Sequence, residues 1–351
     1  MKVLVTGGCG FLGSHVCEYF ARRGDRVVSY DNMTKHELER AGFATEKARN
    51  HNRDFLAGLG VELVTADVRN LERLLDSAAG CNYIVHTAAQ PAMTISVEEP
   101  VLDMSSNVAG TLNVLETARR LKIPVASCAT IHVYGNRINE SLAEGQTRYL
   151  RKPPAIAEEH PLLEGALTPL HASKAAAEFY VRTHIDTYGL AAASFRLTGI
   201  YGPRQFGGED HGWVANFAIR SVLGRPITVY GNGKQVRDIV FAADVCRAFD
   251  AFYRKRVPGI YNIGGGPEAA ISLLECIGLL EKLNGQKPDI RFGPDRHGDL
   301  RYFVCDIAKA GSLLGWHPDV MPEPGITALL EWVRQNRECF GPVSPSRGGG
   351  P

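Results

Sequence analysis

The first thirteen residues constrain the fold of this chain more than any other stretch. Val3-Leu4-Val5 reads as a short buried strand, Thr6–Gly13 is a glycine-rich turn, and a helical apolar period begins at Leu12. Glycine suits a tight turn, Gly10 lets backbone approach a pyrophosphate, and Gly13 allows close helix–strand packing. The unit predicts dinucleotide binding by Gly7, Gly10, Phe11 and Leu12. The spacing alone is weak evidence, because glycine turns also precede helices that bind nothing. Two carboxylates strengthen it. Asp31, with Asn32 after it, ends the second strand where a carboxylate holds ribose hydroxyls. Its charge would repel a 2′-phosphate, which favours NAD over NADP. Asp67-Val68 ends the third strand, an edge suited to adenine.

Strand-like and helical runs alternate through the first half. Arg26–Tyr30, Val61–Thr65, Cys81–His86, Pro124–Cys128 and Ala191–Arg196 read as strands. Leu12–Arg23, Leu71–Ala79, Ser105–Leu121 and a run from Lys174 to about Tyr188 carry helix-period apolar residues. This predicts an α/β fold: a Rossmann-type, doubly wound parallel sheet with a smaller C-terminal substrate-binding lobe. The expected domains are residues 1–196 (with an insertion at 136–168), an interleaved lobe at 197–340, and a flexible tail at 341–351. Met33–Leu59 reads as loop plus a short helix, and the pattern after Tyr201 as mostly irregular loops.

Composition excludes several classes. The 351 residues carry a formal net charge of +1, which gives a nucleic-acid partner no electrostatic support. Eight cysteines form no C-x-x-C pair, and several lie in apolar patterns typical of reduced structural thiols. No apolar run reaches the roughly 18–20 residues of a membrane span, and a strand beginning near Lys2 leaves no secretion signal. A cytoplasmic protein without membrane association or a metal site is expected.

Further segments carry a resemblance. Gly7–Gly13, His86–Gln90, Asn107–Thr111, Thr130–Gly135, Ser173-Lys174, Tyr201–Gln205 and Arg237-Asp238 are similar to the extended short-chain dehydrogenase/reductase family. That family comprises nucleotide-sugar epimerases and dehydratases. The resemblance implies NAD held also by Ala88, Ala89 and Gln90, a nucleotide-sugar substrate, and a homodimer formed through the Ser105–Leu121 helix and the helix of Lys174. It implies transient oxidation of a sugar carbinol to a ketone, with hydride returned to the other face. Lys174 would hold the nicotinamide ribose, and Thr130 would hydrogen-bond the reacting hydroxyl. The plainer readings are a solvated helix lysine and a strand-end threonine.

One family residue is missing. A tyrosine belongs four residues before the lysine, and this chain has Leu170, which cannot accept a proton. His132, two residues after Thr130, stands where related dehydratases carry an acidic catalytic residue, and His171 directly follows Leu170. Histidine needs no large pKa shift to exchange protons near neutrality, so His132 is the first candidate for acid/base work and His171 the second. On an extended segment His132 would share Thr130's side. Arg237, Arg296 and Arg301 are the candidate diphosphate clamps, because guanidinium binds phosphate bidentately. Arg148, in the long insertion, is placed over the sugar. Gln205 and Gln235 are polar contacts, and Gly199 replaces an asparagine frequent in relatives. Three functions stay open: an epimerase with altered acid/base residues, a lyase or dehydratase on a related nucleotide, and a catalytically silent NAD-binding homologue.

Overall fold

In the computed structural model of the chain, residues 1–34, 38, 41, 43 and 45–341 are described. Apart from Gly341, the expected tail lies outside them. Seven strands build one sheet: β1 (Lys2–Thr6), β2 (Arg26–Asp31), β3 (Glu62–Thr65), β4 (Tyr83–His86), β5 (Val125–Thr130), β6 (Ala192–Leu197) and β7 (Gly259–Ile263). All pair in parallel in the order β3-β2-β1-β4-β5-β6-β7. Chain direction across the sheet reverses between β1 and β4, which opens a crevice beyond their carboxyl ends.

Successive residues of β1 serve opposite faces. Val3 and Val5 pack with Val16 and Phe20 of α1 (Phe11–Arg22), whereas Leu4 packs on the other side with Leu74, Val114 and Val181. The apolar run Val3-Leu4-Val5 at its centre follows from this two-sided burial. The first face also receives Phe249 and Phe252, and the second is covered by the helices Leu71–Ala78, Gly110–Leu121 and Pro169–Tyr188.

The second half is more regular than its loops suggest. Helices form at Trp213–Val222, Ala242–Lys255, Leu273–Asn284 and Pro322–Gln335, and most enclose a separate apolar cluster that includes Val214, Phe217, Ile277, Ile326 and Leu330. Gly and Pro punctuation masked their helical period. Strand Val236–Phe241 pairs with Gly199–Tyr201, Ala270–Ser272 and Tyr302–Phe303 in a small sheet. β7 lies late in the chain yet completes the first sheet beside β6. The expected short helix within 33–59 is a 14-residue helix, Thr45–Gly58. Among the described residues no helix is long and apolar enough to cross a membrane.

Candidate active site

The glycine turn is set by contacts that leave no space for side chains. Gly7 has φ +70°, and a Cβ on it would lie 2.7 Å from the amide nitrogen of Ala88 across the crevice. A Cβ on Gly10 would meet only the Gly7 carbonyl oxygen, at 3.0 Å. Gly10 caps α1 without any side-chain hydrogen bond, so the first amides of the helix remain available to an anion. Asp31 accepts hydrogen bonds from the Cys9 amide (3.0 Å) and the Met33 amide (2.7 Å), which fixes its carboxylate at the end of β2. Asp67 is gripped by Arg69 at 2.7 Å, and hydrogen bonds from Arg69 bring its pKa down to about 2.

These groups open into one cavity of about 1290 Å³. Its wall contains Gly7, Gly10, Phe11, Leu12, Asp31, Asn32, Asp67, Val68, Ala88, Ala89 and Gln90, then Thr130 and His132, then Gly199, Gln205, Gln235, Arg237 and Arg296. Residues from 7 to 296 thus converge on a single space. Gln90 is fixed by Asn107, whose side-chain oxygen accepts from the Gln90 amide at 2.9 Å, and by Asp103, which accepts from its Nε2 at 3.0 Å. The donor set suits a dinucleotide: open helix amides for a pyrophosphate, and a fixed carboxylate for a ribose.

The reacting end departs from expectation in detail. Thr130 ends β5 and accepts from the His132 amide at 3.3 Å. Residues Ile131–Tyr134 form a 3-10 turn, not an extended segment, and His132 reaches the cavity through that turn. Burial, reinforced by the Arg237 charge and by His171, lowers the His132 pKa to about 3 and keeps the ring neutral. Leu170 is buried and lines the cavity at the tyrosine's place.

Four expected site residues do not line the cavity. His171 is enclosed as the N3 residue of a capping box, its Nδ1 accepting from the Thr168 amide at 3.0 Å, because the helix start needs that acceptor. Lys174 lies one turn after Leu170; burial lowers its pKa, while Cys128 and Asp103 oppose the shift. Arg148 is not over the sugar site, since Glu275 engages it through Nε at 2.7 Å. Arg301 pairs with Asp295 at 2.9 Å and is half exposed, so Arg296 and Arg237 are the cavity's arginines from that set. Arg296 lies 3.8 Å from the Tyr230 ring centroid, and Arg237 sits 3.4 Å from Asp299.

Arg204, His211 and Trp213, to which the sequence assigns no site role, also line the cavity. Arg204 has φ +63°, stacks on Phe55 and pairs with Glu18 at 2.6 Å, joining α1 to the second lobe. Its αL backbone has no sequence signature. Among the described residues, enclosed polar atoms without partners recur on this wall: Asn52 Oδ1, His132 Nδ1, Gln205 Oε1, His211 Nδ1, Trp213 Nε1 and Gln235 Oε1. Native proteins rarely strand so many buried polar groups outside a binding site.

The description of the NAD dependent epimerase/dehydratase family matches residues 3–264. The chain belongs to that family. It is 34% identical over 351 aligned residues to the CDP-paratose 2-epimerase of Salmonella typhi, covering 95% of this chain and 99% of that one. The segments Val5–His15 and Tyr201–Val214 carry a resemblance to CDP-tyvelose (CDP-paratose) 2-epimerases in particular. The Thermus thermophilus UDP-glucose 4-epimerase, solved with NAD, is 32% identical with a TM-score of 0.78 over 96% of this chain and 100% of that one. The Thermotoga maritima UDP-glucose 4-epimerase, solved with UDP-glucose, is 28% identical with a TM-score of 0.79 over the same shares. Membership in this family makes NAD the cofactor.

Proposed function

We propose that the protein is an NAD-dependent epimerase of a nucleotide-diphosphate sugar, working through transient oxidation to a keto intermediate without a tyrosine. The observation that carries this reading is the single cavity whose wall joins Gly10 and Asp31, Thr130 and His132, and Arg237 and Arg296. Those groups suit a dinucleotide, a reacting sugar carbon and a diphosphate. When bound, NAD supplies a reversible hydride acceptor. The chain's own residues do the rest. Asp31 and the α1 amides hold the dinucleotide, and Lys174 is assigned to its nicotinamide ribose. Arg237 and Arg296 clamp the diphosphate, with Gln205 and Gln235 offering acceptors. Thr130 and His132 engage the reacting oxygen in place of the absent phenol. Gly199 keeps the sugar pocket open beside Trp213.

Residues 1–196 with β7 form the NAD half, and the remainder to residue 340 forms the substrate half. Exposed Val101, Met104, Phe179 and Tyr180 give the adjoining helices an apolar face suited to a homodimer. A cytoplasmic location accords with the reduced cysteines.

The test incubates the NAD-loaded protein with CDP-, UDP- and dTDP-hexoses and analyses products by mass spectrometry and NMR. Epimerisation leaves mass unchanged and inverts one carbon; loss of water would establish the dehydratase reading instead. His132→Ala should keep NAD and lose turnover, and an undiminished rate would remove His132 from the chemistry.

A further inference from the structure

Arg237 reaches the cavity from strand Val236–Phe241, and a short backbone segment beside it holds its guanidinium. That group donates to the Leu300 carbonyl and lies 3.4 Å from Asp299 Oδ1. Residues 299–301 precede the strand Tyr302–Phe303, so the Asp299 carbonyl and the Arg301 amide take no part in its pairing. Asn139 supplies both of their partners. Its Nδ2 donates to the Asp299 carbonyl at 2.9 Å, and its Oδ1 accepts from the Arg301 amide at 2.8 Å. An asparagine amide offers the same donor and acceptor as a peptide unit, so one side chain does the work of a neighbouring strand. Leu300, between those two bonds, is fully buried in an apolar cluster with Ile131, Val133 and Ile138. Ile131 and Val133 flank His132, and Asn139 lies in the 3-10 turn Arg137–Ser141 that follows. Asn139 itself does not line the cavity.

We infer that Asn139 is a positioning residue for the diphosphate clamp: its amide fixes the segment 299–301, and that segment orients Arg237. A guanidinium has five N–H donors. Those committed to Leu300, Asp299 and the Val236 carbonyl set the plane of the group, and the others are left for phosphate oxygens. An arginine already held in place loses less rotamer freedom when it meets an anion. The apolar cluster around Leu300 also seats the turn that presents His132, so the clamp and the reacting end belong to one packed unit. This inference rests on the epimerase reading only for the identity of the anion; the hold on Arg237 needs no ligand.

The test compares Asn139→Asp and Asn139→Ala with the wild type, all NAD-loaded, by calorimetric titration with CDP, UDP and dTDP. Aspartate keeps the acceptor for the Arg301 amide but lacks the donor and sets a carboxylate against the Asp299 carbonyl. Both variants should bind the preferred diphosphate about tenfold more weakly, with NAD affinity unchanged; thermal melts report on folding. Arg237→Lys should weaken diphosphate binding by itself. Asn139→Asp added to it should cost little more, because its effect passes through Arg237. NMR of arginine-labelled protein without nucleotide supplies a second readout. The Arg237 guanidinium signal, assigned by its loss in Arg237→Lys, should show hindered rotation in the wild type and faster rotation in both Asn139 variants. A fully additive loss in the double variant, or an unchanged Arg237 signal in folded Asn139→Asp, overturns the inference. A wild type that binds none of the three diphosphates counts against the proposed function, and the arginine signal still decides the role of Asn139.

Discussion

Gly13 approaches Gly7 so closely that a Cβ on Gly13 would lie 2.0 Å from the Gly7 carbonyl oxygen. Both partners are backbone, so neither can swing aside, and the contact locks the turn under the first helical amides. Gly13→Ala should therefore destabilise the protein by about 1–3 kcal/mol or more and abolish NAD binding. Thermal melts with and without NAD read both effects; a variant that melts and binds like wild type refutes the packing argument.

Cofactor choice should lie with Asp31. A carboxylate has about four acceptor positions, and the amides of Cys9 and Met33 orient this one at the cavity wall. Asp31→Asn removes the charge at nearly constant shape. A charge-assisted hydrogen bond is worth about 1.5–3 kcal/mol, so NAD affinity should fall roughly tenfold or more while the penalty on NADP relaxes. Calorimetric titration with both cofactors measures the ratio, and an unaltered preference would clear Asp31 of that role.

Restoring the phenol should restore an acid/base group. Leu170 is buried on the cavity wall one turn before Lys174, where the ammonium would lower a tyrosine's pKa. A positioned acid/base group is worth about 10²–10⁴ in rate, so Leu170→Tyr should raise kcat at least tenfold and change its pH profile. If kcat stays flat with NAD bound and the fold intact, the chain does not lack a base at that point.

Acid should destabilise the fold through histidines buried in neutral form. His86 is held between Thr6 at 2.7 Å and Thr111 at 3.0 Å, and burial, with the Lys174 charge, lowers its pKa to about 3. The unfolded chain binds this proton below about pH 6.5 while the folded chain does not. Stability is thus complete above pH 6.5 and declines as pH falls toward 3. In urea titrations His86→Gln should show a shallower decline across that window, by up to about 1.4 kcal/mol per pH unit. Equal slopes in both proteins would contradict the assignment.

Much of the first half was legible in the amino-acid order. The Gly7–Gly13 turn and the strand-end carboxylates Asp31 and Asp67 depend on residues close in the chain, and the alternating strand and helix periods dictated the parallel sheet. Arg237 and Arg296, expected at the site from guanidinium chemistry, do line the cavity. Packing settled what depends on the partner each side chain finds. Arg148 and Arg301 have the same chemistry as the cavity arginines, but Glu275 and Asp295, 127 and 6 residues from them, hold them elsewhere. His132 and His171 are separated by 39 positions, and neither sequence period nor composition states that their rings touch. Side-chain chemistry is written locally, but which side chains meet is set by packing between segments far apart in the chain.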